Sequence, residues 1–166
     1  MASEDIRDFL TALSAAGVEF LVVGAHALAA HGRLRATGDL DVLIAANETN
    51  AARLEVSIRE FAATSLEYFG VSVEELSEPQ VGFYMGVEPD RIDVMTRIAG
   101  VAFDRAWRGR AAAEIEGIPV HVLGFDELIA AKQASAQRRT PGSVKAKQDE
   151  ADLVWLLAER ERRRSQ

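Results

Sequence analysis

The segment 24–44 constrains the fold more than any other part of the chain. It follows an apolar run at residues 18–23, begins with a Gly-Ala turn and an alanine-rich helix, and ends in a second apolar run that carries Asp39 and Asp41. Side chains two residues apart on a strand point to the same face of a sheet, so we expect both aspartates to project together. Neighbouring carboxylates repel each other unless a cation neutralises them, which predicts a site for a divalent metal such as Mg²⁺.

Length and composition favour a single globular domain over residues 1–166. Of the 166 residues, 48% are hydrophobic, which is enough to build a core. We expect an α/β (α+β) fold, with a mixed β-sheet flanked by helices at about residues 18–123 and a helical C-terminal part at about residues 124–164. No apolar run approaches the roughly 20 residues that cross a bilayer, and the absence of cysteine excludes disulfides and thiolate metal sites. We therefore expect a cytoplasmic protein without a membrane partner.

The charge of the chain is negative overall but unevenly distributed. A formal net charge of −7 argues against non-specific nucleic-acid binding over the whole surface. Positive side chains nevertheless gather in the last third, at Lys132, Arg138, Arg139, Lys145 and Lys147. Such a local basic region can hold a polyphosphate or an RNA backbone, and the alternative is an ordinary solvated helix face.

Hydrophobic periodicity predicts helices and strands in mixed order. Strands are expected at residues 18–23, 39–44, 81–87, 91–95, 113–115 and 118–123. Helices are expected from Ser3, at residues 25–30, from Asn47, and at residues 102–108, 126–137 and 145–160. Residues 67–79 are poorly periodic and are expected to form a connection. Phe83 and Tyr84 alternate on one predicted strand, so one of them should enter the core; the other can stack on a base, although core packing is the simpler interpretation.

A third carboxylate completes the candidate site. Asp93 lies between Ile92 and Val94 inside a predicted strand, where aspartate is unusual. If this strand lies beside the strand of Asp39 and Asp41, three carboxylates converge and can hold two metal ions. The alternative role for Asp39 is a helix cap or an ion pair with Arg35. Other acids are interpreted as solvated turn or surface residues: Glu88, Asp90, Glu114 and Glu116.

These motifs together resemble the nucleotidyltransferase superfamily of the DNA polymerase β type. The resemblance rests on residues 23–32, on Asp39-Leu40-Asp41 and on Ile92-Asp93-Val94, and it covers roughly residues 18–160. The fuller pattern is similar to the small bacterial branch that includes the AbiEii-like toxins of type IV toxin–antitoxin systems. The resemblance implies transfer of a nucleoside monophosphate from an NTP, such as ATP, to a hydroxyl acceptor, with two Mg²⁺ or Mn²⁺ ions and release of pyrophosphate.

The resemblance also implies roles for individual residues. Asp39, Asp41 and Asp93 become metal ligands, and Asp93 is also the base that takes the acceptor proton. The candidates for nucleotide and phosphate binding are Gly24, Ala25, Arg35 and Lys132. For Lys132 the alternative is a solvated helix lysine, and for Arg35 it is pairing with the acids.

The resemblance leaves the acceptor open between an RNA end, a protein hydroxyl and a small-molecule hydroxyl. It also implies an antitoxin protein as a possible partner. Ala25 stands where the superfamily usually has glycine or serine, which removes a possible hydroxyl contact with phosphate. The alternative interpretation is therefore a non-catalytic nucleotide-binding or toxin–antitoxin interaction module that kept the fold.

Overall fold

A computed structural model describes residues 2–166 as a mixed β-sheet with helices packed around it. The strands are β1 Phe20–Val23, β2 Leu40–Ile44, β3 Gly82–Met85, β4 Ile92–Met95, β5 Ala111–Ile115 and β6 Ile118–Val122. The helices are α1 Ala2–Ala15, α2 Gly24–Ala30, α3 Glu48–Ala62, α4 Val73–Leu76, α5 Phe103–Arg108, α6 Phe125–Arg138 and α7 Val144–Arg164, with a 3₁₀ turn at Leu66–Phe69. The expected fold class is confirmed.

The order of the strands positions the acidic residues. The six-stranded sheet runs β3-β4-β2-β1-β6-β5. Strand β2 pairs with β1 in antiparallel orientation and with β4 in parallel orientation. The predicted neighbourhood of the strands that carry Asp41 and Asp93 is therefore present, and these two residues lie opposite each other in the register.

Two local expectations differ from the structure. Strand β2 begins at Leu40 and not at Asp39, because the ladder starts where the Leu40 amide donates to the Arg91 carbonyl oxygen at 2.9 Å. Asp39 instead bonds through its amide to the Thr37 hydroxyl at 3.2 Å.

The connection at residues 67–79 contains the end of the 3₁₀ turn and helix α4, which begins at a capping box between Ser72 and Glu75. Both elements are too short to produce a hydrophobic period.

The core lies between the sheet and the helices on its faces. Strand β1 is buried along its whole length, as its continuous apolar run predicts. The apolar face of α1 is buried as well, at Ile6, Phe9, Leu10 and Leu13. Within residues 2–166, no helix combines the length and the apolar character that a bilayer crossing demands.

Asn50 ties α3 to the two central strands. Its side chain is buried, accepts a hydrogen bond from the Glu19 amide at 2.7 Å, and donates to the carbonyl oxygens of Glu19 at 3.0 Å and Ala45 at 2.9 Å. Helix α3 begins just before it, with Asn47 as the N-cap that accepts from the Asn50 amide. The start of β1 and the end of β2 are thus held by one amide side chain.

Asn50→Ala should destabilise the protein by about 2–3 kcal/mol, because it leaves buried backbone groups without a partner. The matched control is Thr49→Ala, an exposed neighbour on the same helix, for which a change within about 0.5 kcal/mol is expected. Urea unfolding monitored by circular dichroism measures both. Equal unfolding midpoints for the two variants would contradict the role given to Asn50.

Candidate functional site

Three aspartates from β2, β4 and the residue before β2 line one cleft of about 430 Å³. Asp41 and Asp93 are register partners on adjacent parallel strands, which lie about 4.8 Å apart, so both side chains occupy the same face of the sheet. Asp39 lies at the edge of this pair and accepts a hydrogen bond from the Arg91 amide at 3.0 Å. The structure thus brings together the three acids that the sequence singled out.

The turn between β1 and α2 packs directly on the Asp41 carboxylate. Gly24 has a φ of +67°, a conformation that side chains other than glycine rarely adopt. A Cβ atom at this position would overlap the Asp41 carboxylate oxygen. Glycine is therefore required here both for backbone conformation and for space, and Ala25 follows it on the wall of the same cleft.

Arg91 is a residue of this site that the sequence reasoning missed. Its Nε donates to Asp93 Oδ2 at 2.8 Å, and this hydrogen bond raises the pKa of the guanidinium. The guanidinium carbon also lies 5.1 Å from the centre of the Tyr84 ring. The sequence could have indicated this contact, because Arg91 and Asp93 are two residues apart and such a spacing on a strand places both side chains on one face.

The carboxylates are incompletely neutralised. Burial raises the pKa of Asp41 to about 6, and the negative charges of Asp93 and Asp39 add to the effect. The positive charges of Arg91 and Lys132 oppose it without cancelling it. A carboxylate in this state is stabilised by any cation that enters the cleft.

The opposite wall of the cleft is basic and is organised by two buried acids on α7. Lys132 lies 2.8 Å from an Asp149 oxygen and 3.0 Å from an Asp152 oxygen. The side chain of Asp152 is fully buried and also binds Arg33 at 2.7 Å and Arg35. These ion pairs fasten α6 and the segment after α2 to α7.

Arg139 extends the same network, since its Nε lies 3.2 Å from Asp149. Burial opposes ionisation of Asp149, but hydrogen bonds and charge from Lys132 and Arg139 lower its pKa below the ordinary value. The network contains two acids and four cations, Lys132, Arg33, Arg35 and Arg139, so this wall carries an excess of positive charge.

The predicted phosphate-binding side chains thus line the cleft but make contacts that the sequence did not reveal. Arg35 pairs with Asp152, so the ion pair considered between Arg35 and Asp39 is not formed. Lys132 is largely buried rather than solvated. Asp149 and Asp152 were missed, although they lie three residues apart on the buried face of α7 together with Ala146 and Leu156. Two acids on a helix face that is otherwise apolar could have indicated from the sequence that they are buried and paired with cations.

The competing acids fall outside the carboxylate group. Glu114 and Glu116 are exposed on the β5–β6 hairpin, and Asp90 is exposed on the β3–β4 turn. Glu88 lies at the wall of the cleft, but its side chain is 61% exposed and 3.5 Å from Arg91. Their interpretation as surface residues agrees with these positions.

The donor set suits a hard divalent cation that arrives with phosphate. No cluster of three or more His, Asp or Glu residues in the described chain is already arranged to hold a metal ion. Within residues 2–166, however, the Asp41 carboxylate accepts no hydrogen bond from the protein, and Asp39 and Asp93 each use only one carboxylate oxygen as a side-chain acceptor. Mg²⁺ typically takes one or two carboxylates and completes its shell with phosphates and water, so these residues fit a metal that binds together with a nucleotide.

Comparison with known proteins places this cleft in a family context. The family model Nucleotidyl transferase of unknown function (DUF2204) matches residues 2–147. Among curated proteins, none matches the chain significantly.

The chain is also similar to three solved structures. The solution structure of the antibiotic-resistance factor ANT(2'')-Ia has a TM-score of 0.56 at 19% identity, over 98% of this chain and 92% of that one. ANT(2'')-Ia in complex with adenylyl-2''-tobramycin gives 0.53 at 20% identity, over 95% of each chain. An antigenic nucleotidyltransferase-like protein from Paracoccidioides brasiliensis gives 0.57 at 14% identity, over 94% of this chain and 76% of that one. At these identities the likeness establishes the fold.

Gly24→Ala should destabilise the protein by about 2–4 kcal/mol, because it combines an unfavourable φ with overlap on Asp41. Gly17→Ala is the matched control, since Gly17 has a φ of +70° but open space at the Cβ position, and it should cost only about 1–2 kcal/mol. Chemical denaturation of both variants separates the two contributions. Equal costs would show that the Gly24 contact with Asp41 does not constrain the turn.

Asp41→Asn should stabilise the metal-free protein at neutral pH. The native state favours protonated Asp41, so ionisation costs stability as pH rises from the ordinary pKa of 3.8 toward about 6. The stability difference between Asp41→Asn and wild type should be small near pH 4, grow up to about pH 6 and level off above it, at no more than about 3 kcal/mol. Unfolding in EDTA across this range measures it, with the exposed Glu60→Gln as control. A stability difference that does not change with pH would contradict the raised pKa of Asp41.

Proposed function

The chain belongs to the nucleotidyl transferase family DUF2204, and from this premise we propose that it moves a nucleoside monophosphate from an NTP to a hydroxyl acceptor in the cleft around Asp41 and Asp93. The observation that carries the proposal is the pairing of Asp41 opposite Asp93 on adjacent strands, facing a basic wall. Acidic and basic walls in one cleft suit a reaction in which metal-bound phosphate is the substrate.

The triphosphate is proposed to lie along the basic wall. Lys132, Arg139 and Lys145 line the cleft, and Asp149 and Asp152 neutralise only part of the charge around them. A phosphate group would compete with Asp149 for Lys132, and Asp149 would keep its contact with Arg139. At the other end of the cleft, the Gly24-Ala25 backbone lies beside Asp41, where it is proposed to approach phosphate.

Asp41 and Asp93 are proposed to hold divalent cations, with Asp39 beside them. When bound, Mg²⁺ or Mn²⁺ would supply Lewis-acid stabilisation of charge on the phosphoryl oxygens. Gly24 supports this role because a side chain at its position would overlap the Asp41 carboxylate. Arg91 orients Asp93 by binding one of its two oxygens.

The proposed chemical step uses the second oxygen of Asp93. The acceptor hydroxyl oxygen forms a bond to the α-phosphorus, and its proton passes to the Asp93 carboxylate. The bond between the α-phosphorus and the oxygen bridging to the β-phosphorus breaks, and pyrophosphate leaves with that electron pair. Arg91 orients the accepting carboxylate through its hydrogen bond to the other oxygen.

Several finer expectations belong to this proposal. ATP is the proposed donor and Mg²⁺ the proposed metal. The acceptor stays open between an RNA end, a protein hydroxyl and a small-molecule hydroxyl. The similar ANT(2'')-Ia has been seen with adenylyl-2''-tobramycin, so a small-molecule hydroxyl is a useful alternative acceptor in the assay. An antitoxin partner and a cytoplasmic location stay predictions from the sequence.

Asp93→Asn should lower nucleotidyl transfer by at least about 100-fold, because it removes the proposed proton acceptor and one of the proposed metal ligands. Purified protein is incubated with Mn²⁺ or Mg²⁺, α-³²P-labelled NTPs and separate RNA, protein and small-molecule acceptor fractions, and label transfer and pyrophosphate release are counted. Asp90→Asn is the matched control, since this aspartate is exposed on the neighbouring turn, and it should keep wild-type activity. Calorimetry with a non-hydrolysable NTP reports binding separately.

Full transfer activity in both Asp93→Asn and Asp41→Asn would overturn the assigned roles. If the wild type binds NTP in a metal-dependent way but transfers label to no fraction, the alternative function is favoured, a nucleotide-binding protein without catalytic activity. The sequence observation behind this alternative is Ala25, which lacks the hydroxyl that a serine would offer to phosphate.

A further inference from the structure

Strand β5 forms one edge of the sheet, and its outer side has no partner strand in the described chain. Within residues 2–166, β5 pairs only with β6, and no other backbone hydrogen bond reaches it. An open strand edge is a template for another strand, and proteins usually protect it with lysine, proline, a bulge or a covering segment. The sequence of β5, Ala-Ala-Ala-Glu-Ile, has a single charge and neither lysine, proline nor a bulge.

The hairpin fixes which backbone groups of β5 face outward. Its two-residue turn has a positive φ at both positions, +50° at Glu116 and +78° at Gly117, as in a type I′ turn. In such a hairpin the pair that flanks the turn, which begins with Ile115, is hydrogen-bonded, and bonded and non-bonded pairs alternate from there. Ala112 and Glu114 therefore turn their amide and carbonyl groups away from β6, toward the open edge.

The open edge carries one positive and one negative side chain. Arg110 comes directly before β5 and shares a strand face with Ala112 and Glu114, and all three residues are exposed. The Arg110 guanidinium carbon lies 4.2 Å from the centre of the Trp107 ring, and its Nη1 donates to the Trp107 carbonyl oxygen at 2.6 Å. Within residues 2–166, neither Arg110 nor Glu114 forms an ion pair. Both charges are thus available to a partner strand.

We propose that β5 pairs in antiparallel orientation with β5 of a second copy of this chain, across a two-fold axis at Ala112. In this register the outward groups of Ala112 bond to those of its counterpart, and Arg110 of each copy lies opposite Glu114 of the other. Residues 110–114 of the two copies then exchange about six backbone hydrogen bonds. Opposite charges that face each other across an antiparallel pair attract, and this ladder contains two such pairs.

The charges select this register over its neighbours. An axis at Glu114 or at Arg110 would set like charges opposite each other, which is destabilising. An axis at Ala111 or Ala113 would set one of the charges beside the α5 helix or the hairpin turn of the other copy, where the backbone is not extended. The edge is therefore complementary to itself in one register, as a two-fold symmetric dimer requires.

The dimer goes beyond the proposed function and does not depend on it. Strands β6 and β1 lie between β5 and β2, so the two copies of Asp41 would be seven strand spacings apart, about 34 Å along the joined sheet. Each cleft is lined by residues of one copy. Calorimetry with a non-hydrolysable NTP should therefore give the same affinity in wild type and in every edge variant, and either proposal can fail while the other stands.

Sedimentation velocity of the full chain from about 1 to about 300 μM tests the dimer, because an interface as small as residues 110–114 of each copy is expected to give a micromolar Kd. Glu114→Arg and Arg110→Glu should each raise the Kd at least about 10-fold, since each sets like charges opposite each other. The matched control is Glu67→Arg, an exposed charge reversal on the 3₁₀ turn, which should change the Kd less than about 2-fold.

A mixture of the two charge variants provides the most specific test. The Arg110→Glu chain has two negative charges on its edge and the Glu114→Arg chain has two positive ones. Each variant should be monomeric alone, but equal amounts of both should form a heterodimer with a Kd near that of the wild-type dimer. A chain that carries both substitutions should dimerise with itself again. Loss of folding could not produce this rescue.

Ala112→Pro tests the backbone pairing. Proline removes an amide that faces the open edge and takes no hydrogen bond from the ladder with β6, so the dimer should be lost while circular dichroism shows a folded chain. Ala112→Ser keeps the amide and should keep the dimer. A wild type that stays monomeric at the highest concentration, a dimer that the charge reversals leave unchanged, or a mixture without heterodimer would each overturn the proposal.

Discussion

Repulsion between Asp41 and Asp93 is the interaction around which the site is built. Their strands are neighbours and in register, so the fold holds two carboxylates side by side; burial, together with the charge of Asp93, raises the pKa of Asp41 to about 6. The absence of a side chain at Gly24 leaves room for the Asp41 carboxylate, and a hydrogen bond from Arg91 restrains Asp93. A cation that entered the cleft would lower the free energy of this arrangement, which is why the proposed function assigns divalent metal ions to it.

On the basic wall of the cleft, buried Asp152 holds positively charged side chains in place. Without Asp152, Lys132 and Arg35 would lack the buried partner that holds them away from Asp39, Asp41 and Asp93. Asp152 instead holds Lys132, Arg33 and Arg35 on the α7 side, and removing one partner from such a buried group is costly. The cleft therefore stays divided into acidic and basic walls, and the C-terminal helix is part of the site although it contributes no residue to the sheet.

The strands of the sheet could be predicted from the sequence more completely than the side-chain contacts that join them to the loops and helices. Alternation along β2 and β4 was enough to place Asp41 and Asp93 on defined faces, and the fold class followed from the order of elements. Asp39 departs from the strand because it bonds to the loop at Thr37 and to the Arg91 amide, which alternation cannot reveal. The pairing of Asp152 with Arg33 and Arg35 joins residues far apart in the chain, and local periodicity carries no information about such partners.

The order of strands also gives the cleft a direction. Val23, Asp41, Asp93 and Tyr84 form one row of register partners across β1, β2, β4 and β3, and Gly24 follows at one end. The Gly24-Ala25 backbone lies at the β1 end of this row, whereas the exposed Tyr84 lies at the β3 end. The row that brings the aspartates together therefore has two chemically different ends, a glycine turn against Asp41 and an exposed aromatic residue. For the proposed in-line transfer, this difference would give the leaving group and the acceptor separate sides of the aspartate pair.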